Sequence, residues 1–236
     1  MPLPSLPPAF TLVGLDREVA AFERAVRAAP RGIEDGTVYW TDRADRLEIA
    51  LVVEPEAPAA RTLEAVYVLT VAAGDALAHV LPPVVPIAYA WPGDILLDGA
   101  RAGRIVAALA PVADAAAIPP WLVLGLTIEL APLAGEPGRM PDQTSLHDQG
   151  AGKVTAVELV EGVTRHLMRW TGRWLESGLD QIRPPWNLRC FRRGRHGQLS
   201  LAEERIEGTV AGLDADGALV IGERRLALAH AMDLLR

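Results

Sequence analysis

The sequence predicts an α+β fold, in which a mixed, mostly antiparallel sheet carries helices on one face and a small β domain follows. Three observations support this prediction. Apolar runs separated by tight turns fill Val84 to Ile105, which is typical of β-hairpins. Thr155 to Leu175 repeats apolar residues every three to four positions, which indicates an amphipathic helix. A second Asp-Gly turn, at Asp216-Gly217, separates two short apolar strands near the C-terminus.

The composition restricts the class of protein. The 236 residues carry a net charge of −7, and an acidic chain has no general reason to bind nucleic acid. The short basic cluster at 189–195 is interpreted as solvated surface. No uninterrupted apolar run reaches the roughly 18 residues of a membrane span, and the N-terminus lacks a signal peptide pattern. We therefore expect a cytoplasmic protein that binds neither membranes nor nucleic acid. A single cysteine and five scattered histidines predict no disulfide and no structural metal.

The N-terminal part is predicted to alternate helix and strand. After a proline-rich arm, a helix is expected from Asp16, its N-cap, to Ala29-Pro30. Two strands should follow, at 36–40 and 46–54. The alanine-rich segment 62–80 is long and apolar enough to be a core helix.

The central hairpin is the most clearly patterned stretch. An apolar strand leads to Trp91, Pro92-Gly93-Asp94 forms a corner, and a short strand reaches the Asp98-Gly99 turn. The return strand extends to Leu109, and a buried strand is expected at 121–130. Beyond it, the tryptophans of the 155–175 helix are interpreted as core packing.

These residues also carry a resemblance to a known family. Trp91-Pro92, Asp94, the short apolar strand and Ala102-Gly103 resemble the Trp-Pro-Asn-Asp hairpin of biotin protein ligases, in the biotin/lipoate A/B protein ligase family. The Thr144-Ser145-Leu146 segment before a long helix resembles the late part of that domain, and the C-terminal hairpin resembles its small β-barrel. The resemblance implies a catalytic domain at 1–195 and a β-barrel at 196–236, without an N-terminal DNA-binding domain.

The resemblance implies an activity and its site. Ligases of this family use ATP and Mg²⁺ to activate biotin, lipoate or another acyl acid, then transfer it to a lysine of a biotinyl or lipoyl acceptor domain. Asp94 would be the catalytic carboxylate and the magnesium ligand, and Arg101, which stands where the family has a lysine, would meet phosphate. The remaining nucleotide- or acid-binding positions implied are Trp91, Gly103, Arg104, Gly125 and the terminal Arg236.

Each of these assignments has a simpler structural alternative. Asp94 can be a turn-capping residue after Pro-Gly, Arg101 and Arg104 can be the solvated edge of a hairpin, and Arg236 a solubilising end. Arginine suits bidentate phosphate contacts, whereas lysine is a point charge, so the exchange at position 101 is not conservative.

The sequence also departs from the family upstream of the hairpin. The glycine-arginine loop between the first sheet strands is replaced by the short connection 41–46, which has no glycine and keeps only Arg43 and Arg46. A second hypothesis is therefore a non-catalytic ligase-fold protein that binds an acyl ligand or a carrier domain. A third is an acyltransferase that uses a thioester and Cys190 as nucleophile. An exposed sheet edge could pair two copies into a homodimer.

Overall fold

A seven-stranded sheet forms the centre of the computed structural model, which describes residues 3–114, 116–132, 141–201 and 204–235. Its spatial order is β1-β2-β3-β7-β6-β5-β4. The β1–β2 pair is parallel and the other five pairs are antiparallel, which confirms the predicted mixed, mostly antiparallel sheet. The strands are β1 (Thr11–Leu15), β2 (Thr37–Thr41), β3 (Arg46–Val53), β4 (Ile87–Ala90), β5 (Asp94–Leu97), β6 (Ala100–Leu109) and β7 (Leu122–Glu129).

Helices cover both faces of this sheet, so the prediction of helices on one face is wrong. The α-helices are α1 (Ala21–Ala28), α2 (Ala59–Leu63), α3 (Ala65–Val80), α4 (Ala156–Ser177) and α5 (Leu179–Leu188). The alanines of α1 pack against Ala50 and Val52 of β3 and Val123 of β7. The alternate residues of β3, such as Ile49 and Leu51, belong to the larger core that contains α3 and α4. Both faces of the central strands are therefore buried, as their continuous apolar runs require.

The start of α1 differs from the prediction. Asp16 is not its N-cap: the chain forms the unpredicted strand β1 up to Leu15, and the helix begins at Ala21. The N-cap position, Ala20, has no side-chain cap, and the buried Glu48 of β3 accepts the Ala21 N–H instead, at 3.0 Å. A carboxylate from a neighbouring strand thus satisfies a free N–H and complements the helix dipole, so no local cap was needed.

The hairpin and the core helices agree with the sequence patterns. Asp98 and Gly99 have φ angles of 49° and 82°, as a two-residue type I′ turn requires, and Leu97 pairs with Ala100 across it. The segment Ala59–Val80 is long and apolar enough to cross a membrane. However, 72% of its 18-residue apolar stretch is buried inside the protein, as in a core helix. A capping box between Thr155 and Glu158 begins α4. The predicted packing role of Trp170 is confirmed, since it lies in the main core.

A second, four-stranded antiparallel sheet forms the C-terminal part, in the order β11-β10-β9-β8. Among the described residues its end strands do not pair, so it is an open sheet in place of the predicted barrel. The segment Leu228–Leu235 is a 3-10 helix that packs against β6. Its residues Leu228, Ala231 and Leu235 are buried in the main core. The strands are β8 (His196–Leu201), β9 (Glu204–Leu213), β10 (Leu219–Ile221) and β11 (Arg224–Leu226).

Two buried hydrogen-bond systems join this second sheet to α5, to α3 and to the residue that follows β4. The Asn187 side chain donates to the Leu213 carbonyl at 2.9 Å and accepts from the Leu213 N–H at 2.7 Å. The Trp91 indole N–H donates to the Tyr67 hydroxyl at 3.0 Å, and that hydroxyl donates to the Gly217 carbonyl at 2.7 Å. The division at residue 195 stays a prediction.

Candidate active site

Four polar side chains form one row across the α1 face of the sheet. The register pairs Glu48 with Thr127, Thr127 with Arg104, and Arg104 with Asp94. Directly opposed residues of neighbouring strands point to the same face, so the row runs from β3 through β7 and β6 to β5. The sheet thus brings together the predicted Asp94 and Arg104.

Asp94 and Arg104 form a bidentate ion pair. Arg104 Nε donates to Asp94 Oδ1 at 2.7 Å, and Nη2 donates to Oδ2 at 3.3 Å. The hydrogen bond to Asp94 raises the pKa of Arg104 further above its usual value. The guanidinium side chain is 43% exposed and the carboxylate 26%, so the pair faces solvent and can be reached by a ligand.

Arg104 lies between two cavities. The smaller, of about 150 Å³, is lined by Arg101, Thr127, Glu129 and Gln143 as well as Arg104. The backbone of Arg101 is held there by segment 142–144: its N–H donates to the Asp142 carbonyl at 2.8 Å, and its carbonyl accepts from Thr144 at 2.9 Å. The predicted pair Arg101 and Arg104 therefore meets at one cavity.

The larger cavity, of about 320 Å³, separates the hairpin from the C-terminal part. The hairpin contributes Trp91, Asp94 and Arg104, and the opposite wall contains Leu199, Ser200, Asp233 and Leu234. Trp91 and Leu199 also line an adjoining cleft of about 770 Å³ between the hairpin and the second sheet. Binding sites are common between domains, so this boundary is the natural place for a bound molecule.

The comparisons with known proteins agree with this geometry. The family model "Biotin/lipoate A/B protein ligase family" matches residues 6–188. The chain belongs to this family.

Two similar proteins illustrate the sequence and structural similarity of this chain to known proteins. A biotin--[acetyl-CoA-carboxylase] ligase from Paracoccus denitrificans is 27% identical over 187 residues, which are 77% of this chain and 76% of that protein. A crystal structure of a biotin protein ligase-like protein of unknown function from Silicibacter sp. TM1040 is 30% identical. It superposes with a TM-score of 0.85 and covers 95% of this chain and 97% of the other.

A more distant solved structure shares the fold. The biotin protein ligase from Aquifex aeolicus, in complex with biotin and ATP, is 17% identical, with a TM-score of 0.71. The alignment covers 92% of this chain and 95% of that one. The recognition of the family and of its α+β fold from the Trp-Pro-x-Asp hairpin is therefore confirmed.

The predicted site residues Trp91 and Gly103 make contacts that serve the fold itself. The Trp91 side chain is 6% exposed and its N–H is bonded to Tyr67, so only its ring can meet a ligand in the two cavities that it lines. A Cβ at Gly103 would lie 2.7 Å from the Thr127 carbonyl oxygen, so this glycine is needed for close strand pairing. Arg236 lies outside the described residues.

At Gly125, the close approach comes from the chain itself. A Cβ there would lie 2.6 Å from Val106 Cγ2 and 2.8 Å from a ring carbon of Phe22. The Phe22 ring of α1 thus occupies the space above this glycine. Contact of Gly125 with a ligand stays a prediction, and it requires that the ring move.

The connection between β2 and β3 is as short as the sequence suggested. Arg43 forms a bidentate pair with Asp45, at 3.0 and 2.7 Å, and Arg46 donates to Glu48 at 3.1 Å. Arg43 and Arg46, the two arginines that this connection keeps from the family's glycine-arginine loop, therefore have carboxylate partners within the protein.

Sequence reasoning did not find Glu48, Thr127 or Gln143. One signal was available for Glu48, because a charged residue within the apolar run RLEIALVV is unusual in a buried strand unless it has a partner. Thr127 and Gln143 gave no such signal, since their place beside Arg101 and Arg104 depends on strand register and on the return of segment 142–144.

Cys190 has the properties of a structural thiol. It is 9% exposed, and burial raises its pKa to about 11, so the nucleophilic thiolate is scarce at neutral pH. We therefore expect Cys190→Ser to keep any acyl transfer at the wild-type rate within about twofold, because a thiol that is not ionised is a poor nucleophile. Rates of the purified variants measure this, and a loss of all transfer would restore the thioester hypothesis.

We expect Glu129 to make stability depend on pH. Partial burial raises its pKa, despite the opposing effect of Arg46 across the strand pair. The folded state then holds this proton more tightly than the unfolded chain, so stability should fall as the pH rises from the usual glutamate range through the raised pKa. We expect Glu129→Gln to reduce this fall. Urea unfolding between pH 4 and 8 measures it, and parallel curves for both proteins would contradict the assignment.

Proposed function

We propose that this chain is a ligase that uses ATP to activate a carboxylic acid and attaches the acid to a lysine of an acceptor protein. The acid would be biotin, lipoate or another acyl acid, and the acceptor a biotinyl or lipoyl domain. The observation that carries the proposal is the meeting of Arg101 and Arg104 at one cavity beside the hairpin of a member of this ligase family. The activity in the name of the Paracoccus relative supports it.

The reaction would have two balanced steps. A carboxylate oxygen of the acid attacks the α-phosphorus of ATP, and pyrophosphate leaves as the acyl-adenylate forms. The lysine amine of the acceptor then attacks the acyl carbonyl, AMP leaves, and the amine loses a proton as the amide forms. Both steps move negative charge onto phosphate oxygens, and cationic donors placed beside these oxygens lower the barriers. Arg101 and Arg104 would be these donors.

The cavities around the hairpin suit the phosphoryl group and the organic acid of this reaction. The 150 Å³ cavity between the arginines has room for a phosphoryl group. The 320 Å³ cavity and the 770 Å³ cleft beside it contain apolar groups of Trp91 and Leu199. Apolar walls with a few polar groups at one end are typical of sites for small organic acids.

Acid-dependent exchange between ATP and labelled pyrophosphate tests the proposal, with biotin, lipoate and octanoate supplied separately. We expect one acid to raise the exchange at least tenfold above the rate without acid, and mass spectrometry to detect its adenylate. Absence of exchange with every acid, together with absence of an adenylate, would contradict activation of these acids.

A non-catalytic role is the second candidate. Asp94 is already paired with Arg104, and Phe22 lies above Gly125, so two of the predicted ligand-binding positions are engaged within the chain. A binding protein would give heat with an acid or an acceptor domain in calorimetry, but no exchange. The homodimer and the cytoplasmic location stay predictions.

A further inference from the structure

The surroundings of Asp94 disagree with a bound magnesium ion. Both carboxylate oxygens accept hydrogen bonds from Arg104, at 2.7 and 3.3 Å. A divalent ion at this carboxylate would lie beside a permanently charged guanidinium, and the two cations would repel each other. The residues at Asp94 therefore do not fit Mg²⁺.

Arg104 itself carries the charge that a metal would bring. A guanidinium has five N–H donors, and the contacts to Asp94 use one on Nε and one on Nη2. Three donors remain, and the side chain is 43% exposed between the 150 and 320 Å³ cavities. Arginine binds phosphate oxygens through such paired donors.

We infer that Arg104 takes the place of the divalent ion in this chain, so that nucleotide phosphates bind to the guanidinium without a metal. Asp94 is then a positioning residue, which fixes the plane and direction of the guanidinium. This inference rests on the proposed use of ATP. It changes the role of Asp94 from a magnesium ligand to a residue that positions Arg104.

The neighbouring charges agree with a site for an anion. Arg101 and Arg104 line the smaller cavity together with a single carboxylate, Glu129. Partial burial raises the pKa of Glu129, and Arg46 lies opposite it on the neighbouring strand. Asp233 lines the larger cavity and has a partner of its own. The smaller cavity is therefore lined by two cationic side chains and one carboxylate.

Calorimetry with ATP and with pyrophosphate tests the inference, in EDTA and in excess MgCl₂. The wild type should bind both in EDTA, with a Kd within about threefold of the value in MgCl₂. Arg104→Ala should weaken binding in EDTA by about 10- to 100-fold, as expected for loss of a charged hydrogen-bonding group. Arg104→Lys should recover part of it. Arg27→Ala, an exposed arginine on α1, is the matched control and should bind as the wild type does.

Asp94→Asn separates a positioning residue from a metal ligand. A neutral amide still accepts one hydrogen bond from Arg104, so we expect a loss of only several-fold, equal in EDTA and in MgCl₂. Electron paramagnetic resonance with Mn²⁺ gives a second readout: the wild type with ATP should bind no more Mn²⁺ than ATP alone does. Circular dichroism confirms that each variant is folded.

The outcomes distinguish this inference from the proposed function. Nucleotide binding that requires MgCl₂, or a metal-specific loss in Asp94→Asn, would overturn the role of Arg104 and leave the ligase proposal standing. Absence of nucleotide binding in both buffers would overturn the use of ATP and this inference with it.

Discussion

Arg101→Ala should lower acid-dependent pyrophosphate exchange by about 100-fold, the usual effect of removing one donor that stabilises developing negative charge. The side chain lines the cavity that contains Arg104, while its backbone is held by bonds to Asp142 and Thr144. Truncation beyond Cβ leaves these backbone bonds in place. We therefore expect a loss of activity without a large loss of stability.

Two further variants make this result specific. Arg101→Lys places at this position the residue that the resembling ligases carry, and its exchange rate should lie between those of Arg101→Ala and the wild type, because it keeps the charge but loses the paired donors. Arg27→Ala removes an exposed arginine whose partner is Glu23, and it should not change the rate. If Arg101→Ala and Arg27→Ala exchange pyrophosphate equally fast, Arg101 does not contact the reacting phosphates.

Asp75→Ala should destabilise the fold by about 3 kcal/mol, or roughly 8 °C in Tm, because it leaves partly buried donors without a partner. The Asp75 carboxylate accepts from Arg189 at 3.0 Å, from Arg169 at 3.1 Å and from the Trp170 indole at 2.9 Å. Arg189 also donates to the Tyr89 hydroxyl at 2.8 Å. One carboxylate thus joins α3, α4 and the chain beyond α5.

The network is closely packed beside Gly74. A Cβ at Gly74 would overlap the Tyr89 hydroxyl and lie 2.9 Å from Arg189 Nη1. Burial raises the pKa of Tyr89 to about 12, so the hydroxyl stays neutral and keeps its place beside Arg189. Loss of Asp75 therefore leaves Arg189 beside the buried Tyr89 hydroxyl without its carboxylate partner.

A matched charge removal provides the control for Asp75. Asp75→Asn should cost about half as much as Asp75→Ala, because the amide still accepts a hydrogen bond from one donor. Glu207→Gln removes a carboxylate from an exposed pair with Arg205, at 3.8 Å, and should change stability by less than about 0.5 kcal/mol. Urea unfolding measures all three. Equal midpoints for Asp75→Asn and Glu207→Gln would contradict a stabilising role of the network.

Local patterns predicted much of the fold. The Asp98-Gly99 turn, the strands on either side of it and the amphipathic α4 are all determined by neighbours in sequence, and all are confirmed. The hairpin motif was also specific enough to identify the family. Local reasoning failed for β1 and for the start of α1, since β1 is a short edge strand that pairs in parallel with β2, and α1 is capped by Glu48 from another strand.

The sequence by itself determined that Arg101 and Arg104 lie on the return strand of a two-residue-turn hairpin. Only the tertiary structure decided what each of them contacts. Cross-strand register pairs Arg104 with Asp94, and the chain beyond β7 brings Gln143 beside Arg101. Packing of α1 places Phe22 above Gly125. Such contacts depend on segments far apart in the chain, and a sequence pattern records the spacing of neighbours but not the partners that folding brings together.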